Sequence, residues 1–199
     1  MITKETIYLI DSDYRRRAAI THCLASNGIH VEPFEDIGEF MARMPQDGLL
    51  LAHDDGNSVR KLLDHVRQTE FWLPVIGLAE RPSTTMIVNA VLSGAIDYID
   101  WPAETDDLLA TLAEAREKAG KLAPLRNREV RARTRVESLS RREREVLSGV
   151  TTGMSNRAIA DQLGISTRTV EIHRANMLVK MNATSTSEAV RIACEAQFA

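Results

Sequence analysis

The stretch Ser155-Asn-Arg-Ala-Ile-Ala-Asp-Gln-Leu-Gly-Ile-Ser-Thr-Arg-Thr-Val170 decides how the C-terminal part of the chain folds. Ser155 is an N-cap residue type, and Ile159, Ala160 and Leu163 follow it at helical spacing. Gly164 supplies the positive φ that a tight turn needs, so Gly164-Ile165-Ser166 reads as a three-residue turn. A second helix is predicted over Thr167–Met181. Ala160 is small where two helices must cross closely, and Val170 lies on the inner side of the second helix. Ile159, Leu163 and Ile165 complete an apolar wedge. A helix, a short Gly-containing turn and a second helix make the helix-turn-helix unit. The whole constellation is far more specific than any single residue in it.

The flanks add two more helices. Ser140-Arg-Arg-Glu143 is a capping box that opens a helix toward Thr152, with Val146, Leu147 and Val150 on its apolar side and Gly153 as a stop. Ser185-x-x-Glu188 reads as a second capping box, opening a helix to about Ala196. On the predicted Thr167–Met181 helix, Arg168, Glu171, Ile172 and Ala175 share the face opposite Val170 and Met177. That is the expected major-groove face. Arg168 suits guanine or phosphate, Glu171 suits cytosine N4, and Ile172 and Ala175 suit thymine methyls. Thr167, Thr169, Arg174, Asn176 and Lys180 flank it and suit phosphate oxygens. His173 reads as a packed, hydrogen-bonded histidine.

Charge separates this region from what precedes it. Residues 121–199 hold fourteen Lys/Arg against eight Asp/Glu, a net +6, which suits a polyanion. Residues 1–120 hold eleven Lys/Arg against twenty Asp/Glu, a net −9. The total of −3 conceals this division. The acidic half alternates short apolar runs (Thr6–Ile10, Ile29–Phe34, Gly48–Ala52, Pro74–Leu78, Ala95–Asp100) with amphipathic helical patterns. The helical faces are Ala18, Ala19, Ile20, Cys23 and Leu24, then Ile37, Phe40, Met41 and Met44. Val59, Leu62, Leu63 and Val66 give the third; Met86, Ile87, Ala90 and Val91 the fourth; Leu108, Leu109, Leu112, Ala113 and Arg116 the fifth. This alternation predicts an α/β doubly wound, five-stranded parallel sheet followed by an all-α four-helix domain. The boundaries read as 1–120, a basic helical linker over 121–137, and 138–199. Pro124 interrupts the helical pattern, although a continuous helix is also open, and Arg126, Arg128, Arg131, Arg133 and Arg135 suit a solvated helical spacer or contacts to DNA phosphate or to the acidic first domain.

Composition excludes other classes. The chain has 199 residues, 44% apolar and 27% charged, and no apolar run approaches the roughly 18 residues of a membrane helix. Met1 to Glu5 carry no leader core, so a cytoplasmic location is expected, without a membrane partner. Cys23 and Cys194 imply no disulfide framework. No P-loop, nucleophile elbow or paired Cys/His metal spacing is present, so no enzyme, cofactor or metal site is expected.

In doubly wound sheets the functional crevice lies beyond the carboxyl ends of the strands. There stand Asp11, Ser12 and Asp13, then His53, Asp54 and Asp55, then Ala79 and Glu80, then Trp101 and Pro102. Through Ile-Asp-Ser-Asp (10–13), Ser-Gly-Ala-Ile-Asp-Tyr (93–98) and Trp101-Pro102, nearly all of 1–120 resembles the receiver domain of two-component response regulators. The resemblance implies a flavodoxin-like fold and, in ordinary members, two acids holding Mg²⁺, a phospho-accepting Asp, a Thr or Ser, and a Lys. Asp11 matches the first acid; Ser12 stands at the second, with Asp13 displaced by one. His53 stands at the acceptor position with Asp54 one step on, Ala79 at the Thr/Ser position and Trp101 at the Lys position. Ser12 and His53 remove two expected contributors to Mg²⁺, and Trp101 adds bulk that can plug the pocket.

These departures give a pseudo-receiver, a receiver fold without phosphotransfer. The rival is phosphorylation of Asp54, against which counts that a one-residue slip turns a strand side chain to the other face. The four acids also suit solvated loops and helix caps, and His53 with Asp11 a transition-metal site.

The segment Leu139–Ala196 resembles the LuxR-type four-helix DNA-binding domain, through Leu-Ser-Arg-Arg-Glu-Arg-Glu-Val-Leu (139–147), Asn-Arg-Ala-Ile-Ala (156–160) and Ser-Thr-Arg-Thr-Val-Glu-Ile-His-Arg-Ala-Asn (166–176). The last stretch is close to the FixJ branch, in which a receiver precedes this domain. The resemblance implies a cytoplasmic transcription regulator that binds double-stranded DNA as a homodimer. Val190, Ile192 and Ala193 serve either the dimer contact or the core. Its first domain would dimerise or bind a protein partner. The alternatives are a phosphorelay regulator using Asp54, and an interaction protein that titrates another regulator.

Overall fold

A computed structural model describes residues 6–196 of the chain; Met1 to Glu5, on which the leader reading rests, lie outside the described residues. The chain divides into two compact units, Met1–Pro124 and Leu125–Ala199.

In the first unit, β1 (Ile7–Ile10), β2 (Val31–Phe34), β3 (Leu49–His53), β4 (Val75–Glu80) and β5 (Asp97–Trp101) form one sheet in the order β2-β1-β3-β4-β5. Every neighbouring pair is parallel. The helices are α1 (Tyr14–Ser26), α2 (Ile37–Arg43), α3 (Ser58–Val66), α4 (Thr84–Leu92) and, as far as Pro124, α5 (Thr105–Glu137). The two sheet faces carry separate cores, because successive strand side chains alternate. Ile7, Leu9, Leu49, Leu51, Ile76 and Leu78 pack with Ile20 and Leu24 of α1 and Leu108 and Leu112 of α5. Tyr8, Ile10, Leu50 and Ala52 pack with Phe40 of α2, Val59 and Leu62 of α3 and Ala90 of α4. Burial of β1, β3 and β4 on both faces explains their near-continuous apolar sequence.

Three helices differ from their sequence patterns. In α1 the expected Ala18 and Ala19 are exposed, and the inward line runs through Arg16, Ile20 and Leu24 at i, i+4 and i+8. In α4 Val91 is exposed with Val88 and Leu92, leaving Ala90 as the buried residue. In α5 the helix continues through Pro124 to Glu137. Good helix formers on both sides carry it past the missing N–H. In the basic stretch before Glu137, Arg128 and Arg131 are exposed, but one face of the helix is buried. Ala132 and Val136 belong to the same apolar cluster as Leu139, Leu147, Met177, Met181 and Ile192.

The second unit continues with α6 (Arg141–Thr151), α7 (Asn156–Leu163), α8 (Thr167–Lys180) and α9 (Thr186–Glu195). Ser140 Oγ accepts from the Glu143 N–H at 3.3 Å while Glu143 returns to the Ser140 N–H at 2.7 Å, a complete capping box. At α9 the box is incomplete. Ser185 caps the Glu188 N–H, but the Glu188 carboxylate accepts from the N–H and hydroxyl of Thr184 instead. Gly164 ends α7 at φ 65° and lets α8 turn against it. Ile159, Ala160 and Val170 meet in a second small core with Val146 and Val150 of α6. Gly149 permits that approach: a Cβ there would lie 2.7 Å from Ile159 Cγ1. No described helix is long and apolar enough to cross a membrane.

Candidate functional site

The candidate residues on α8 divide between two sides of the helix. Val170 and Met177 are fully buried, and Arg168, Glu171, Ile172, Ala175 and Asn176 are exposed on the other side. Ile172 presents about half its surface, 49%. Arg168 and Glu171 pair with each other at 3.1 Å, one turn apart, an exposed contact that costs little to exchange for a base edge or phosphate. Ser166 caps the helix through the Thr169 N–H at 3.0 Å, leaving Thr167 exposed at its first position.

Two flanking residues have internal partners. Arg174 donates to Asn156 Oδ1 at 2.8 Å and to Thr186 Oγ1 at 2.9 Å, which ties α8 to the first turns of α7 and α9. Lys180 donates to Glu143 Oε2 at 2.7 Å. Glu143 is almost fully buried, and Lys180 is its counter-ion. Burial alone would raise the Glu143 carboxyl, but the hydrogen bonds from Lys180 and Ser140 hold it below the ordinary glutamate value. His173 is half-buried and makes no hydrogen bond to a described residue, unlike the packed partner expected for it. Ile192 and Ala193 are buried in the core, and half-buried Val190 packs against the Val146 cluster.

At the carboxyl ends of the strands, sheet register sorts the candidate acids. Ile10 pairs with Ala52, which sets Asp11 beside His53, and His53 pairs with Leu78. Asp11 and His53 continue the alternation of Leu9 and Leu51 toward α1 and α5, whereas Asp54 continues that of Ala52 toward α3 and α4. Asp54 and Asp11 thus face opposite sides of the sheet.

Asp11 is 2% exposed and is taken up by Arg16. Arg16 Nε donates to its Oδ2 at 2.6 Å and Nη2 to its Oδ1 at 2.8 Å, a two-pronged contact. Arg16 Nη1 reaches Glu80 Oε1 at 3.1 Å. The Asp13 N–H also donates to Asp11 Oδ1, and an Arg17 Nη1–H donates to the Asp11 carbonyl. The Asp11 contact is the first cause raising the Arg16 guanidinium above its ordinary value. Asp13 caps α1 through the N–H groups of Arg16 and Arg15, which lowers its carboxyl. Ser12 is exposed, Ala79 is buried, and half-buried Trp101 packs on the α1/α5 side. No cluster of three metal-ligating side chains exists among the described residues. A Mg²⁺ ion does not fit this donor set: Asp11 already holds a fixed cation, and Ser12 and His53 stand where acids are needed. Sequence reasoning missed Arg16. Within Arg15-Arg16-Arg17 only its register with Ile20 and Leu24 marks it.

Asp54 is 5% exposed. Its Oδ1 accepts from the Gly56 N–H at 3.0 Å and the Val59 N–H at 3.5 Å, and its Oδ2 accepts from the Tyr98 hydroxyl at 3.2 Å. Gly77 lets the Tyr98 ring lie across β4, since a Cβ there would stand 2.6 Å from it. Burial, then the Asp54 charge, drives the Tyr98 hydroxyl far above its ordinary value, so it stays a donor.

The family described as bacterial regulatory proteins, luxR family, matches residues 137–193. The transcriptional regulatory protein FixJ of Bradyrhizobium diazoefficiens is 34% identical across 98% of both chains. FixJ of Rhizobium meliloti is 32% identical across 99% of this chain and 98% of its own. The crystal structure of full-length FixJ from B. japonicum matches with a TM-score of 0.52 at 33% identity, covering 99% of both chains. The response regulator StyR matches at 0.53 and 26%, over 97% of this chain and all of its own.

Proposed function

The chain belongs to the FixJ type of DNA-binding response regulators with a LuxR-family helix-turn-helix, and from that membership we propose that it reads specific operators without control by aspartyl phosphorylation. Independence from phosphorylation is supported by the Arg16 guanidinium held between Asp11 and Glu80. It neutralises, from within the chain, the carboxylate that a divalent cation would need. Asp54 faces the other side of the sheet and caps the turn before α3, and Ala79 and Trp101 offer a phosphoryl group neither hydroxyl nor ammonium. The sheet unit does no phosphotransfer, and the protein is a cytoplasmic regulator rather than an enzyme.

In the reading unit, Arg168, Glu171, Ile172 and Ala175 meet base edges in the major groove, and Thr167, Thr169 and Asn176 meet phosphates. Arg174 and Lys180 hold this face in place, and Lys180 retains exposed ammonium surface for a phosphate. Two copies reading two half-sites fit this architecture. The exposed Val88, Val91 and Leu92 on α4 supply an apolar surface through which the sheet units of two copies associate.

Selection of bound duplexes from a random pool tests the reading. The expected outcome is one enriched, two-fold related site, bound equally with and without acetyl phosphate and Mg²⁺. Absence of enrichment from both the full chain and residues 125–199 would overturn it in favour of a regulator-titrating protein.

A further inference from the structure

Turning Asp54 away from the strand-end pocket places a buried carboxylate in a different cavity. This cavity, of about 240 Å³, lies between α3 and α4 and is lined by Asp54, Asn57, Arg60, Met86, Asn89 and Ser93, among others. Met86, Asn89, Ala90 and Ser93 recur at i, i+3, i+4 and i+7, so one face of α4 forms a wall. Asp54 has three hydrogen-bond donors but no cationic partner among the described residues. A buried carboxylate without a counter-ion is costly. Arg60, lining the same cavity, is exposed and pairs with no described acid. The two charges are thus offered to one space, with the amides of Asn57 and Asn89, the Ser93 hydroxyl and the apolar surfaces of Met86, Ala90 and Leu92 around them.

We propose that this cavity binds a small zwitterion, a free α-amino acid, with its ammonium on Asp54 and its carboxylate on Arg60. Its size admits such a metabolite. A lone amine or a lone carboxylate would satisfy one charge and desolvate the other. Binding itself is independent of how α8 reads DNA. That occupancy is the input of the sheet unit rests on the phosphorylation-independent reading above.

Calorimetric titration of the full-length chain with L-leucine and with L-glutamine tests the site directly, in the absence of DNA. At least one should give saturable heat. Isoamylamine and 4-methylpentanoate, the two halves of leucine's recognition, should each bind at least about tenfold more weakly than leucine, a difference of one power of ten in Kd. Arg60→Gln and the near-isosteric Asp54→Asn should each weaken the bound amino acid about tenfold or more, with thermal melts close to wild type. Arg60→Gln carries the test alone if Asp54→Asn perturbs folding. The proposal is overturned by no saturable heat from either amino acid up to about 10 mM, beyond millimolar Kd. It is equally overturned if Arg60→Gln binds like wild type, or if the amine alone binds like the amino acid.

Discussion

Arg16 holds the buried carboxylate of Asp11 through two nitrogens, at 2.6 and 2.8 Å, and both residues lie at the carboxyl end of the sheet. A guanidinium is always charged, planar and matched to a carboxylate. The pair therefore balances the Asp11 charge from within the chain. Removing one partner strands the other charge, so Arg16→Ala should cost about 3–5 kcal/mol in urea unfolding of the first unit. Millimolar Mg²⁺ should leave the melt of the wild type unmoved. A strong Mg²⁺-dependent rise would contradict the assignment.

The Lys180–Glu143 pair makes the second unit sensitive to acid. A carboxyl held low in the folded chain contributes stability above its unfolded value, about 4.3, and loses it as pH falls through the lower folded value. Acid unfolding of residues 125–199 should thus begin below that pH. Lys180→Ala should move the midpoint upward and cost about 1–2 kcal/mol at neutral pH, the lysine being partly exposed. Circular dichroism against pH reads both effects without DNA present. An unchanged acid midpoint would remove the pair from the account.

Gly149 sets the distance between α6 and α7. Gly149→Ala pushes a methyl into Ile159 Cγ1 and should destabilise the second unit by about 1–3 kcal/mol. Ile159→Val in the same chain should recover part of it. Urea melts of the single and double variants give the coupling, and additive losses would show that the contact does not limit the approach.

On DNA, Arg168→Ala should cost about 1–3 kcal/mol at the selected operator and relax preference at one position. Wild-type affinity should fall by about 10³–10⁵ between 50 and 200 mM salt if six to ten phosphates are met. Fluorescence anisotropy across that range measures both. An Arg168→Ala loss equal on all sequences would assign Arg168 to phosphate instead.

Much of the second unit was legible because its signals are local. The Ser140–Glu143 box, the Gly164 turn and the Val170/Met177 face each depend on residues within one or two turns. Arg174 and Lys180 were harder, since their partners stand 18 and 37 residues away and an arginine on a helix flank looks alike whether it meets phosphate or protein. Ala132 and Val136 were hidden among arginines, and Pro124 suggested a break that flanking helix formers override. In the sheet unit, strand parity already set Asp54 apart from the acceptor position at His53. Arg16 escaped because only tertiary packing selects one arginine of three. Gly149 had a faint signal, the one glycine of its helix, directly before Val150 on the apolar side.

The claim that the strand-end pocket is closed to phosphoryl transfer is tested most directly by intact-protein mass spectrometry after incubation with acetyl phosphate and Mg²⁺. The account predicts the unmodified mass alone, at every concentration that phosphorylates an ordinary receiver run beside it. A stoichiometric, acid-labile phosphoryl adduct on Asp54 would contradict it.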